Sequence, residues 1–393
     1  LRNSELTFPS AIRNPKSEIL NYMPKNLDEK FMSLAVRLAK KAEGMTSPNP
    51  LVGAVVVKGG KIWGKGYHKR AGLPHAEVEA FLDAEREGYE LKGSTLYVTL
   101  EPCCHPDKRT PPCVDAIIDK GISKVVVGTL DLNPKVRGKG IERLRQSGIE
   151  VVIGTLEERC REINQHFFKY ITTGAPFVIL KLTATLDGKI ASFSGDSKWI
   201  GSQTQRKYAH ELRNKVDAIL VGIETVTKDN PQLTVRLEKR NNSQPIPVVL
   251  DSKLKISPES ALFKVHKSPI IATTHLSNDK KILELESMGA RVLSINSDDR
   301  GRVDLNSLVK KLGELEITSI LIEGGSEVAA SALKNGIVDK IIFFYAPKII
   351  GADGISMVGR LGISKVSEAL TLGNIKLKKI GEEFVVEGNL SRE

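Results

Sequence analysis

The chain has 393 residues, enough for two domains, and its 40% hydrophobic and 27% charged residues describe a globular protein without an apolar run of membrane-spanning length. Four cysteines exclude a disulfide framework and point to a reducing compartment, read here as the cytoplasm. A net charge of +11 without any Lys/Arg block argues against a nucleic-acid or membrane partner and for an anionic, phosphorylated small molecule.

Residues 1–27 contain no apolar core of signal-peptide type and mix Glu5 and Glu18 with Arg2, Arg13 and Lys16, so an N-terminal extension is expected there. From Asp28 onward Phe31, Leu34, Ala35 and Leu38 recur at helical spacing, and the run stops at Gly44. Residues 47–57 read as a Pro-rich turn feeding an apolar strand, with 61–67 as its hairpin partner across Lys58, Gly59 and Gly60. A helix begins at His75, and a strand over 95–100 ends at Pro102-Cys103. Pro111 and Pro112 open another helix with Cys113 in its first turn, and a strand follows over 124–128. This alternation predicts an α/β sandwich around a buried mixed sheet, spanning 28–173.

Within that frame a helix start delivers His75 and Glu77, while a strand end and a second helix start deliver two thiols. One imidazole and two thiolates are three ligands for a tetrahedral Zn²⁺, leaving a fourth position for water. Helix N-termini favour thiolate over thiol, because unpaired N–H groups stabilise negative charge. Glu77 cannot easily share the metal with a histidine two residues away, yet it stands close enough to move a proton from bound water. A His-x-Glu followed by Pro-Cys and a later cysteine is the pattern of zinc nucleobase deaminases, here with the cysteines further apart than in the short form. Pro102 favours Cys103 over Cys104 as the first thiol, beside His75 and Cys113.

Residues 155–170 have helical apolar spacing and end at a Thr-Thr-Gly-Ala-Pro turn, where a boundary near 173 is expected; Cys160 and His166 within them read as core residues. The second domain, 174–393, opens on a strand over 177–184 and a turn over 185–191. Residues 194–202 lead into a helix ending at Arg213, and a strand covers 217–222. Four β-rich runs at 247–251, 269–273, 291–295 and 319–323 follow, and 339–351 supply another strand, giving a parallel-sheet α/β pattern. No Gly-x-Gly-x-x-Gly opens a helix here. Glu323-Gly324-Gly325-Ser326 is instead a strand-to-helix junction suited to a pyrophosphate.

The segments 47–53, 66–77 and 101–113 closely resemble the deaminase domain of the bifunctional deaminase-reductases of riboflavin biosynthesis, within the cytidine-deaminase-like superfamily. Segments 182–191, 197–201, 221–226, 229–236 and 323–326, in this order, resemble the reductase domain of the same family. The resemblance covers roughly residues 28 to 390 and implies an α/β fold in two parts, a cytidine-deaminase-like α/β/α domain followed by a dihydrofolate-reductase-like one. It implies zinc-dependent deamination of a diaminopyrimidine ribosyl 5′-phosphate, then NADPH-dependent reduction of the ribosyl group to ribityl, in a homo-oligomer. A tRNA or nucleoside deaminase would share the zinc chemistry but has no reason to carry the second domain.

Carried onto matching positions, the resemblance implies that Asn49 holds the pyrimidine, His68 lines the pocket, and Lys108 and Arg109 grip the ribose phosphate. Asn133 contacts substrate in a loop where Leu132 replaces the family's proline. The inter-cysteine loop is one residue longer than usual counted from Cys103 and of usual length from Cys104, so the first thiol stays open at this level. In the second domain Thr183, Trp199, Thr225 and Asp229 would contact NADPH, with Gly324 and Gly325 at its phosphates. Ser197, Arg213, Leu233, Arg236 and Glu323 would hold the substrate, the two arginines as a phosphate clamp.

Overall fold

Helix α1 (Leu27–Ala39) starts where a capping side chain stands: Asn26 Oδ1 accepts the Glu29 N–H at 2.9 Å, and Asp28 and Glu29 face the positive helix end. The computed structural model describes residues 26–105, 111–238, 244–275 and 277–391. Lys108 and Arg109 lie outside these, as do residues 1–25 of the expected extension.

The N-terminal unit continues with β1 (Gly53–Lys58), β2 (Lys61–Tyr67), α2 (Ala76–Arg86), β3 (Thr95–Leu100), α3 (Cys113–Asp119), β4 (Lys124–Thr129), α4 (Lys139–Gln146), β5 (Glu150–Ile153), α5 (Glu157–Glu162) and α6 (Gln165–Thr173). Gly59 and Gly60, at φ +55° and +73°, make the β1–β2 turn, which needs two left-handed residues in succession. The strands lie in the order β2-β1-β3-β4-β5, with β1 antiparallel to both neighbours and β3, β4 and β5 mutually parallel. Side chains alternate across this sheet. Ala54, Val56, Leu96 and Val98 pack against α2, α3 and α4, whereas Val55, Val57 and Tyr97 pack against α1 and Cys160 of α5. Both faces are therefore covered, which is why the central strands read as near-continuous apolar runs.

Three features depart from the sequence reading. α4 and β5 are additional elements between 139 and 153. The helix expected over 155–170 is broken into α5 and α6 at Asn164, whose carboxamide accepts from the Leu51 N–H at 2.8 Å and donates to the Leu51 carbonyl at 2.9 Å. Those bonds tie the break to the loop before β1 and redirect the chain.

The C-terminal unit holds β6 (Phe177–Thr185), β7 (Lys189–Ala191), α7 (Gln203–Arg213), β8 (Ala218–Gly222), α8 (Ile223–Asp229), β9 (Ile246–Leu250), α9 (Ala261–Val265), β10 (Ile270–Thr274), α10 (Asp279–Ser287), β11 (Arg291–Ile295), α11 (Leu305–Glu314), β12 (Ser319–Ile322), α12 (Ser326–Lys334), β13 (Lys340–Ala346), β14 (Ile355–Ser356), β15 (Leu372–Ile380) and β16 (Glu383–Leu390). Nine of these strands form one sheet in the order β11-β10-β9-β8-β12-β6-β13-β16-β15. The first seven are parallel, as expected from the sequence. The antiparallel β15–β16 hairpin is the third departure, since the polar residues of β15 at the sheet edge give no apolar run to read. α11 and α12 cover one face through Leu308, Leu312, Ala329 and Leu333. The carboxyl ends of β6, β8 and β12 open a crevice of the kind that binds ligands in open parallel sheets. Among the described residues no helix is long and apolar enough to cross a membrane.

Candidate active sites

The first site grows from the end of β3. Glu101 is buried there, and its carboxylate accepts N–H groups of Gly138 and Gly140 at 3.0 Å and of Asp131 and Ile141 at 3.3 Å, which pins the following loop and strand end together. Pro102 then leads into Cys103, while Cys113 is the first residue of α3 and donates its backbone N–H to Cys103 Sγ at 3.3 Å. Across from them His75 is the residue preceding α2. It is seated by a close helix–strand approach: a Cβ on Gly66 of β2 would stand 2.3 Å from the Ala76 carbonyl.

His75 Nδ1 lies 3.1 Å from Cys113 Sγ and 3.5 Å from Cys103 Sγ, and the three donor atoms are all within 4.8 Å of one another. Ligands of one tetrahedral zinc, bound at about 2.0 Å through nitrogen and 2.3 Å through sulfur, stand at such separations, so the donor set fits that ion. Cys104, the alternative first thiol, packs instead against the hydrophobic cluster of α2 and α3 and is not part of the convergent group. Glu77 is 3% exposed in the first turn of α2. Burial holds its carboxyl above the usual range, opposed by the charge of His75.

His75, Cys103 and Glu77 line one cavity of about 450 Å³ together with Asn49, His68 and Asn133, with Cys113 buried just behind its wall. Asn49 Nδ2 and His68 Nε2 are 3.1 Å apart, and His68 Nδ1 meets the Pro74 carbonyl at 3.1 Å, which fixes the ring. The Leu132 departure leaves its loop ordered. Asp131 Oδ1 accepts the Asn133 N–H at 2.8 Å, and Asn133 Oδ1 in turn accepts the Lys135 N–H at 3.0 Å. Leu100, Phe167 and Ile171 supply apolar wall. Cys160 lies elsewhere, fully buried under β4, with its thiol pushed up to about 12 by burial. His166 packs against Phe177, with the ring centroids 5.0 Å apart and the planes tilted by 31°.

The second site is a pair of cavities. One, of about 330 Å³, is lined by Thr183, Ser197, Trp199, Arg213, Arg236 and Glu323. The other, of about 670 Å³, is lined by Thr225, Asp229 and Gly325, and the two share Ile190 and Ser197. Thr183 and Trp199, expected with the cofactor, thus stand at the smaller cavity. Gly324 sits where a Cβ would meet Val328 at 2.7 Å, so it allows α12 to approach β12 closely. Leu233, expected against substrate, is 3% exposed at φ +51°, packed in the core with Val226 and Leu254.

Arg213 and Arg236, expected as a phosphate clamp, both line the smaller cavity. Arg213 spends its fork on Glu323, with Nε to Oε1 at 2.8 Å and Nη2 to Oε2 at 2.7 Å, and Nη1 donates to the Thr234 carbonyl at 3.0 Å. Burial would raise the Glu323 carboxyl, but the charge of Arg213 and its hydrogen bonds bring it down to about 2. Arg236 donates its backbone N–H to His210 Nδ1 at 3.3 Å.

Lys181 was missed in the sequence, although a lysine midway along an otherwise apolar strand is itself a signal. It lines the smaller cavity, its Nζ 5.5 Å from the Phe344 ring; burial lowers its pKa and Glu323 opposes that. In the larger cavity Lys228, Lys253, Lys255, Arg300 and Arg302 form a basic wall that was also not anticipated, because these residues come from one helix end and two separate loops.

Comparison with known proteins covers both units. Residues 25–129 match the cytidine and deoxycytidylate deaminase zinc-binding region, and residues 176–386 match the RibD C-terminal domain. Riboflavin biosynthesis protein RibD of Aquifex aeolicus is 48% identical over 364 residues, covering 93% of this chain and 99% of that one. Its counterpart in Escherichia coli is 38% identical, covering 91% and 97%. The crystal structure of a diaminohydroxyphosphoribosylaminopyrimidine deaminase/5-amino-6-(5-phosphoribosylamino)uracil reductase from Thermotoga maritima superposes with a TM-score of 0.80 at 41% identity, covering 93% of this chain and 99% of that one.

Proposed function

The chain belongs to the RibD family of bifunctional riboflavin-biosynthesis enzymes, and from that premise we propose how its cavities divide the deaminase and reductase chemistry. The observation that carries the reading is the convergence of His75, Cys103 and Cys113 at the wall of a cavity lined by His75, Cys103 and buried Glu77 together with Asn49, His68 and Asn133. The substrate is a diaminopyrimidine ribosyl phosphate, deaminated in the first cavity and reduced in the second.

His75, Cys103 and Cys113 would hold zinc, which when bound would supply Lewis-acid activation of a water and stabilise developing negative charge. Glu77 would hold a proton and pass it between water and the departing amine, a transfer for which a carboxyl held above its ordinary range is suited. Asn49 and His68 present a carboxamide and an imidazole to the polar edge of the pyrimidine, and their mutual contact keeps both in register. Leu100, Phe167 and Ile171 exclude bulk water from the reacting carbon.

In the C-terminal unit NADPH would occupy the larger cavity and supply the hydride. The N-terminus of α12 behind Gly325, where a Cβ would meet nothing within 4 Å, offers open backbone N–H groups for a pyrophosphate. The basic wall of Lys253, Lys255, Arg300 and Arg302 suits the additional phosphate that separates NADPH from NADH. Ser197, at the junction of the cavities, places the ribose between cofactor and the Arg213–Glu323 pair, so this half works by positioning.

Thiolate ligation requires a reducing environment, which supports a cytoplasmic location. Exposed Ile375 and Leu377 on edge strand β15 support assembly into a homo-oligomer.

The test is to incubate the zinc-loaded protein with the diaminopyrimidine ribosyl phosphate, following ammonia release and NADPH absorbance separately. Ammonia release without NADPH, then NADPH consumption on its addition, is the expected outcome. Absence of both signals would sink the assignment.

A further inference from the structure

The first cavity is not built by the N-terminal unit alone. Its lining includes Glu316, from the turn between α11 and β12, a residue held at φ +59° in a region unfavourable to side chains with a Cβ. That turn is docked tightly. Tyr170 Oη donates to the Gly313 carbonyl at 3.3 Å, and a Cβ on Gly313 would stand 1.9 Å from the Gly174 carbonyl.

The loop that carries Asn49 is gripped from the same side. Ser47 Oγ donates to Asp217 Oδ2 at 2.9 Å and lies 3.0 Å from Thr318 Oγ1. Asp217 is itself fixed at the start of β8, where the same Oδ2 accepts the Thr318 hydroxyl at 2.7 Å and the N–H groups of Thr318 and Ser319 at 2.8 and 3.1 Å. Four residues upstream of Ser47, Glu43 pairs with Lys215 at 2.9 Å, and Gly44 stands where a Cβ would be 2.2 Å from the Asn214 carbonyl. Within the loop the Asn49 N–H donates to the Thr46 carbonyl at 2.7 Å, so Ser47 and Asn49 belong to one turn.

We propose that Asp217, on the reductase unit, is a positioning residue for deamination: through Ser47 it sets the turn that aims Asn49 at the pyrimidine. This rests on the reading of the first cavity as the deaminase site. Asp217 takes no part in either chemical step. It replaces the freedom of a surface loop with a fixed geometry, and small misplacements of a substrate-orienting group are costly to binding and rate. The reductase unit is then a structural component of the deaminase site.

The test uses full-length, zinc-loaded protein. Ser47→Ala removes only the link, because Asp217 keeps its three donors from Thr318 and Ser319. The expected result is a rise of about tenfold in the KM for ammonia release with kcat changed by less than about twofold, the loss of one hydrogen bond to a charged group. Zinc content and NADPH consumption with the already deaminated pyrimidine should stay at wild-type levels. Ser47→Thr, which retains the hydroxyl, should restore KM. Asp217→Asn, as a second variant that keeps an acceptor oxygen, should raise KM in the same direction by a smaller factor, and its effect should not add to that of Ser47→Ala. A wild-type KM in Ser47→Ala, or full additivity of the two variants, would overturn the proposal. Failure of the wild-type protein to release ammonia would instead overturn the functional reading beneath it.

Discussion

Replacing Arg213 by Met would convert a paired buried carboxylate into an unpaired one, and its destabilising effect should shrink as pH falls. Both partners are largely enclosed, at 15% and 12% side-chain exposure. In the native protein Glu323 is lowered from 4.5 to about 2, against the burial that would raise it. A drop of that size corresponds to about 3 kcal/mol of stability at neutral pH. Because the folded-state value is the lower one, this contribution is present above about pH 4.5 and is lost as pH falls toward 2. In Arg213→Met burial acts without its main opponent, and the carboxyl moves above its ordinary range. The remaining cation, Lys181, is itself pushed toward neutrality by burial. The variant should then be less stable than wild type by about 3–5 kcal/mol at pH 7 and by clearly less near pH 4, where Glu323 carries a proton. Urea unfolding followed by circular dichroism across this range measures the difference directly. The double variant Arg213→Met/Glu323→Gln should lose the pH-dependent part of that difference. A difference that is constant with pH, or a double variant no more stable than Arg213→Met at pH 7, would refute the reasoning.

Glu77→Gln should retain zinc while ammonia release falls by about a thousandfold, with reduction of the deaminated substrate unaffected; metal analysis and the two separate assays check this. Cys103→Ala should lose stoichiometric zinc and Cys104→Ala should keep it, since only the former supplies a convergent sulfur; equal zinc contents would contradict the ligand assignment. Gly128→Ala would place a Cβ 2.3 Å from Cys160 Sγ and 2.7 Å from the Thr99 carbonyl, and should cost about 1–3 kcal/mol in unfolding experiments, partly recovered by adding Cys160→Ala. Arg300→Ala should raise the KM for NADPH several-fold while leaving that for NADH nearly unchanged, if the basic wall reads the extra phosphate.

Much of the fold could be read from local signals. The helical spacing from Asp28 onward, the Gly59-Gly60 hairpin and the apolar runs of the parallel strands each depend on residues a few positions apart. Where an element carried a weak local signal it was missed. β15 is an edge strand whose exposed lysines give it no buried stripe, and the break at Asn164 follows from a bond to Leu51, 113 positions away. The convergent group His75, Cys103 and Cys113 was readable up to the choice of its first sulfur, because His75 and Cys113 are placed by helix starts that the sequence marks.

The amino-acid order by itself determined which side chains could do chemistry here and on which kind of element each would sit, because side-chain period, capping and turn preferences act over one or two turns of chain. Only the tertiary structure decided how those elements meet. It placed Cys103 rather than its neighbour beside His75, since the crossing of the β3 end with the α3 start brings one of two adjacent sulfurs into the candidate metal site and leaves the other half-buried against the α2–α3 cluster. It gave the Arg213 fork to Glu323, 110 positions away, and tied Ser47 to Asp217 across 170. Such partners are fixed by strand register and by the packing of one layer on another, and no local preference encodes either.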